Sequence, residues 1–138
     1  MRQTEQKLWD RMRNRLGAKT RLERIENIAG VGTPDVFVLV EGTTTPVELK
    51  AVIKPPARDT TRVLGDKGLN RDQRNWHLSW SQWGGISYVL IGVGPREIYL
   101  INGRHADAIN NLTIIQLAAH SVARNWDDVY VVLKGELP

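Results

Sequence analysis

The stretch TPDVFVLVEGTTTPVELKAV, from Thr33 to Val52, decides the reading of this chain. Val36 to Val40 and Val47 to Val52 are short β-branched runs bounded by Gly, Pro and Thr, the pattern of two hairpin strands. Side chains alternate across a strand, so Glu48 and Lys50 share one face while Val47, Leu49 and Ala51 share the other, the buried one. A four-residue turn over Gly42 to Thr45 pairs residue 41 with residue 46 and puts Asp35 opposite Val52, on the face of Lys50 and Glu48. In that register Asp35 is diagonal to Lys50, at roughly 7–8 Å, and farther from Glu48. Strand twist or a bend after Pro34 has to close the gap.

Two carboxylates on one face repel, and a hard divalent cation with oxygen ligands relieves the repulsion. Bound Mg²⁺ or Mn²⁺ polarises a phosphoryl oxygen and lowers the pKa of coordinated water, which a neighbouring lysine can orient or deprotonate. The residues therefore outline a phosphodiester-hydrolysing site. The plainer alternative is the solvated face of a hairpin carrying a Glu/Lys pair as surface charges.

Pro34-Asp35 followed by Glu48-Leu49-Lys50 on the returning strand resembles the signature of the PD-(D/E)xK nuclease superfamily. With Gly30-Val31-Gly32-Thr33 before it and Arg71-Asp72-Gln73-Arg74-Asn75-Trp76 after it, the order looks most like the virus-type replication-repair (VRR-NUC) branch. The archaeal Holliday-junction resolvases share the acidic skeleton, and the resemblance spans about residues 4 to 102. It implies that Asp35, Glu48 and the Leu49 carbonyl hold metal, that Lys50 positions water, and that Gln73 and Glu5 complete the site.

With 138 residues, 41% of them hydrophobic, the chain is long enough for one domain with its own core, here residues 1–138. It has no cysteine, and His77, His105 and His120 do not stand at a metal-ligand spacing. Any metal must therefore rest on oxygen. There is no long apolar run or signal-peptide pattern, so neither membrane spanning nor secretion is expected and the cytoplasm, or a host's cytoplasm, is. A net charge of +4 suits a polyanionic partner.

The cations are unevenly spread. Arg2, Lys7, Arg11, Arg13, Arg15, Lys19, Arg21 and Arg24 crowd the first residues, where Leu8, Met12 and Leu16 recur at helical spacing up to Gly17. Thr4 is a candidate N-cap. Glu5 lies in the first turn, where an acid also simply favours the positive helix end; Asp10 sits farther along among basic residues. A second cluster, Lys54, Arg58, Arg62, Lys67, Arg71 and Arg74, occupies a long loop with Pro55-Pro56, Gly65 and Gly68. Together with Arg11 and Arg15 it is the candidate grip on a phosphate backbone.

Asn70 can cap the next helix, with Gln73 in its first turn. Trp76, Trp80 and Trp83 form a stripe expected to pack as core, although such a stripe can also stack on unpaired bases. Ile86 to Val93 and Glu97 to Ile101 read as strands around a Gly94-Pro95 turn. Gly92-Val93-Gly94 lacks the strand-to-helix context of a nucleotide site, so no nucleotide cofactor is expected. Ala106 to Asn110 and Thr113 to Val122 look helical. Trp126 to Leu133 is read as a helix capped at Asn125, against the strand-like Val129 to Val132, and is a candidate dimer contact.

The expectation is an α/β domain of restriction-endonuclease-like fold: helix, three-stranded meander, helix, strand, then a short extra strand and C-terminal helices. It implies a metal-dependent DNA endonuclease and homodimer, selective for branched DNA. Alternatives are a nuclease acting on linear or nicked DNA and an inactive nucleic-acid-binding module of the same fold. Sequence-specific restriction would need a recognition insert that so short a chain has little room for.

Overall fold

The computed structural model describes residues 3–25 and 31–135; Arg2 of the basic cluster and Gly30 before the Pro-Asp pair lie outside them. The order is α1 (Gln3–Leu16), β1 (Arg21–Arg24), β2 (Val36–Val40), β3 (Thr43–Val52), α2 (Arg71–Gln82), β4 (Tyr88–Val93), β5 (Glu97–Asn102), α3 (Ala106–Ile109), α4 (Ile114–His120) and α5 (Trp126–Leu133). One sheet runs β1-β2-β3-β4-β5. The first three strands are an antiparallel meander, α2 carries the chain across to a parallel β4, and β5 returns antiparallel. The expected order is the observed one. Among the described residues no helix is long and apolar enough to cross a membrane.

The hairpin register differs from the sequence expectation. Val40 pairs with Thr43, leaving a two-residue turn of Glu41 (φ 48°) and Gly42 (φ 80°). Two successive positive φ values give the twist that joins adjacent strands tightly. Thr43 to Thr45 belong to the strand. Val36 therefore pairs with Val47, and the count carried one residue back sets Asp35 against Glu48 instead of Val52.

Both faces of the sheet are covered. Leu8, Met12 and Leu16 of α1, with Val129 and Leu133 of α5, pack on Val36, Val38, Val47, Leu49, Leu90 and Leu100. Val89, Ile91, Tyr99 and Ile101 face the other way, onto Val63, Leu64, Leu69, Ala106, Ile109 and Leu117. Glu48 is level with Val89 and Lys50 with Ile91. Their face is thus continuous with a second apolar core, which is why it is not a solvated one: Glu48 is 1% exposed and Lys50 7%.

Three helix expectations change. Thr4 lies inside α1, which already begins at Gln3, so it is not the cap. Trp126 to Leu133 is the expected helix, with Asn125 accepting the Asp128 N–H at 2.8 Å, but its apolar face is buried against α1 and the sheet and is not free for a dimer. The tryptophan stripe is not core: Trp80 is 40% and Trp83 85% exposed, and Trp76 stacks on Trp80 with centroids 4.8 Å apart. The buried residue of α2 is His77. Helical spacing shows that three side chains share a face but not which way the face turns. Here α2 packs against the Gly103–His105 turn and α3 through the face of His77.

Candidate active site

β2 and β3 separate beyond the Val36–Val47 pair, and Asp35 stands at the opening. Its main-chain carbonyl still accepts the Ile25 N–H at 2.6 Å, holding it to β1, while its carboxylate accepts the Leu49 N–H at 2.9 Å. A strand residue sends its N–H and C=O out on the same edge. The Leu49 carbonyl therefore leaves β3 on the side where Asp35 stands.

Gly32 explains how the helix reaches this opening. With φ at 79°, it sits so close to the first turn of α2 that a Cβ there would run into the Asp72 carbonyl and come within 3.0 Å of the Gln73 nitrogen. Asn70 and Gln73 close a capping box, each side chain bonding the other's main-chain N–H at 2.9 Å. The Gln73 carboxamide is thus engaged in the cap, with its backbone against the Pro34-Asp35 approach.

The site is electrostatically loaded. Burial, a hydrogen bond shared with the Asp35 carboxyl and the charge of Asp35 hold the Glu48 carboxyl well above the usual carboxylate range. Lys50 pulls the other way, and Glu5, buried on the first turn of α1, adds to the rise. The structure thus brings Asp35, Glu48, Lys50 and Glu5 together. Glu48 Oε1 is buried with no hydrogen-bond partner, and Lys50 makes no salt bridge with the described residues.

That orphaned oxygen beside a second carboxylate fits a small hard cation. Among the described residues no three His, Cys, Asp or Glu side chains form a metal-binding group, so Glu5 adds charge without completing a three-carboxylate cage. Two carboxylates and one main-chain carbonyl, with water in the other positions, suit Mg²⁺, which usually retains several waters.

One residue under the site was not singled out by the sequence. His77 follows Gln73 by one helical turn on the same face. It is fully buried, with Nδ1 2.7 Å from Ser87 Oγ and Nε2 unpartnered. Burial lowers its pKa to about 4, against a smaller upward pull from Asp35.

The candidate phosphate-binding residues fall into separate groups. Lys54 and Arg58 are exposed just beyond β3, and Arg71 is exposed at the start of α2. Arg62 donates to Asn111 Oδ1 at 3.2 Å, and Arg74 braces the Leu69 carbonyl at 2.7 Å. The latter half of the basic loop is fixed: Asn110 bonds both the N–H and C=O of Leu69 at 2.7 Å, and a single 3-10 turn covers Gly65–Lys67. Arg11 and Arg15 lie elsewhere, along α1.

At the level of sequence no family model and no curated protein matches the chain. Among solved structures it is similar to Archaeoglobus fulgidus Hjc, a Holliday junction resolvase from an archaeal hyperthermophile, with a TM-score of 0.54 at 12% identity. The match covers 80% of this chain and 87% of that one. The mixed α/β fold, a five-stranded sheet flanked by helices, is restriction-endonuclease-like.

Proposed function

We propose that this chain is a Mg²⁺- or Mn²⁺-dependent DNA endonuclease that hydrolyses phosphodiester bonds, with a preference for branched DNA. The observation that carries the reading is the half-buried Asp35 set against the buried Glu48, with buried Lys50 on the same face of β3. A fold shared with a Holliday junction resolvase supports the substrate class, and the signature at Pro34-Asp35 and Glu48-Leu49-Lys50 supports a virus-type repair nuclease.

In this mechanism Asp35, Glu48 and the Leu49 carbonyl would hold the ion. A bound divalent ion would supply charge neutralisation at the phosphoryl group and a more acidic water. Lys50, with no carboxylate of the described residues within salt-bridge distance, orients the attacking water or takes its proton. Glu5 raises the negative potential that attracts the cation, and the α2 N-terminus with Gln73 borders the opening. Lys54, Arg58 and Arg71 meet the DNA backbone beside the cut.

A symmetric cut across a junction takes two such sites, which a two-fold homodimer provides. Exposed Trp80, Trp83 and Ile86 offer an apolar surface for it. The deciding experiment is a cleavage screen of four-way, nicked and linear DNAs with Mg²⁺, Mn²⁺ or EDTA, with light scattering at the same concentration. Cleavage only with metal, fastest on the four-way junction and by a dimer, is expected. DNA binding without cleavage in any metal would leave an inactive binding module.

A further inference from the structure

The arginines of α1 meet two others that play no part in the site above. A cavity of about 400 Å³ opens between α1, the β4–β5 turn and the start of α5, lined by Arg11, Asn14, Arg15, Arg96, Arg124 and Asn125. Two of its guanidinium groups are held by the β4–β5 segment. Arg11 donates to the Pro95 carbonyl at 2.7 Å; Arg124 donates to the Ile98 carbonyl at 3.3 Å and lies 4.0 Å over the Tyr99 ring. Arg15 and Arg96 make no hydrogen bond or ion pair with the described residues.

Among the described residues no acid lines this cavity. Of the acids nearest in sequence, Glu97 accepts the Tyr99 hydroxyl, Asp128 accepts from the Asn125 amide, Asp10 is paired with Arg13, and Asp127 is exposed on the first turn of α5. Four cations around one concavity without a carboxylate repel one another, and the fold tolerates this at a cost that an anion would remove. Guanidinium groups anchored by main-chain carbonyls keep their remaining N–H donors aimed, which suits the oxygen fork of a phosphate.

Helix α1 carries both the cavity's Arg11 and Arg15 and Glu5 of the proposed active site. Lys7, Arg11 and Arg15 recur at i, i+4 and i+8, and a neighbouring cavity lined by Thr4, Lys7, Asp10 and Arg11 adjoins the first through Arg11. Its one acid, Asp10, is bonded to Arg13 at 2.7 Å. From Glu5 to Arg15 the track runs ten residues, about 15 Å at 1.5 Å per residue, or about four nucleotides of one duplex strand.

We propose that the arginine cavity binds a backbone phosphate of the DNA at a distance from the cut, a second anchor that sets how the substrate lies along α1. The inference rests on the DNA reading above. The test is binding to a linear duplex in EDTA, where no cleavage is required, measured by anisotropy over a range of salt. Arg15→Ala/Arg96→Ala removes only side chains without partners among the described residues, so the fold is retained. Arg21→Ala/Arg104→Ala removes the same charge outside both cavities.

The first double variant is expected to bind more weakly, with a salt dependence less steep by about two in log–log slope. The second should behave like the wild type. A cavity variant no different from the control overturns the proposal while leaving the nuclease reading intact; wild type that binds no DNA removes the DNA reading itself. A loss confined to 5′-phosphorylated duplex, absent with a 5′-hydroxyl end, would reject a backbone phosphate in favour of a terminal one.

Discussion

The Asp35 carboxylate takes the Leu49 N–H at 2.9 Å at the point where β2 and β3 stop pairing. A side chain thereby occupies the place of the next ladder carbonyl. The bond fixes Asp35 beside Glu48 without any ligand, and it separates two roles of one residue. Asp35→Asn keeps an acceptor for Leu49 and removes the charge. Asp35→Ala removes both, leaving a part-buried N–H unsatisfied at a cost of about 1–3 kcal/mol. Denaturant midpoints should place Asn near the wild type and Ala below it.

Cleavage should separate from binding. Asp35→Asn and Lys50→Ala are each expected to slow cleavage by about 10²–10⁴-fold, the usual reach of positioned acid–base groups. Gel-shift affinity should change little, because the exposed arginines and lysines supply it. Near-wild-type cleavage by either variant would remove that residue from the chemistry.

Metal binding should depend on pH. Folded Glu48 keeps a proton that the unfolded chain releases above its ordinary value of 4.5. The metal-free protein therefore loses stability as pH rises from that value through the raised one, and a cation that expels the proton restores it. Calorimetric titration with Mn²⁺ should show affinity rising with pH and proton release across this window. Glu48→Gln should abolish both, and a pH-independent affinity would refute the paired-carboxyl account.

His77 acts with the opposite sign. Its folded pKa of about 4 lies below the ordinary 6.5, so the folded state resists a proton that the unfolded state accepts. The stability is fully present above pH 6.5 and lost as pH falls towards 4, by up to about 3 kcal/mol at 1.36 kcal/mol per unit. Urea unfolding of wild type and His77→Gln from pH 8 to 4 isolates the effect, since the difference between the two curves should shrink in acid. A constant difference would contradict it.

Gly32→Ala tests the link between α2 and the motif. A methyl group there must overcome both a left-handed backbone and the Asp72 carbonyl. The expected cost is about 1–3 kcal/mol, with cleavage reduced beyond what the loss of folded protein explains. Thermal unfolding and single-turnover rates together check it. Gly42→Ala, strained at φ 80° but with open space around its Cβ, should lower stability without touching the rate.

Much of this molecule was fixed by local chemistry. Alternation in Val36 to Val40 and Val47 to Val52, the cap at Asn70 and the spacing of Leu8, Met12 and Leu16 specify their elements because each depends on nearest neighbours along the chain. The pairing of Asp, Glu and Lys types was legible for the same reason. Tertiary structure decided the rest. Two positive φ values at Glu41 and Gly42 moved the register so that Asp35 meets Glu48, a choice between turns of similar composition. The second apolar core buried Glu48 and Lys50, and the docking of α2 on the Gly103–His105 turn faced His77 inward and left Trp80 and Trp83 outside. Arg96 and Arg124 joined Arg11 and Arg15 only because the β4–β5 turn and the start of α5 fold back onto α1. Periodicity identifies which residues share a face, but which face is buried depends on contacts between residues far apart in sequence.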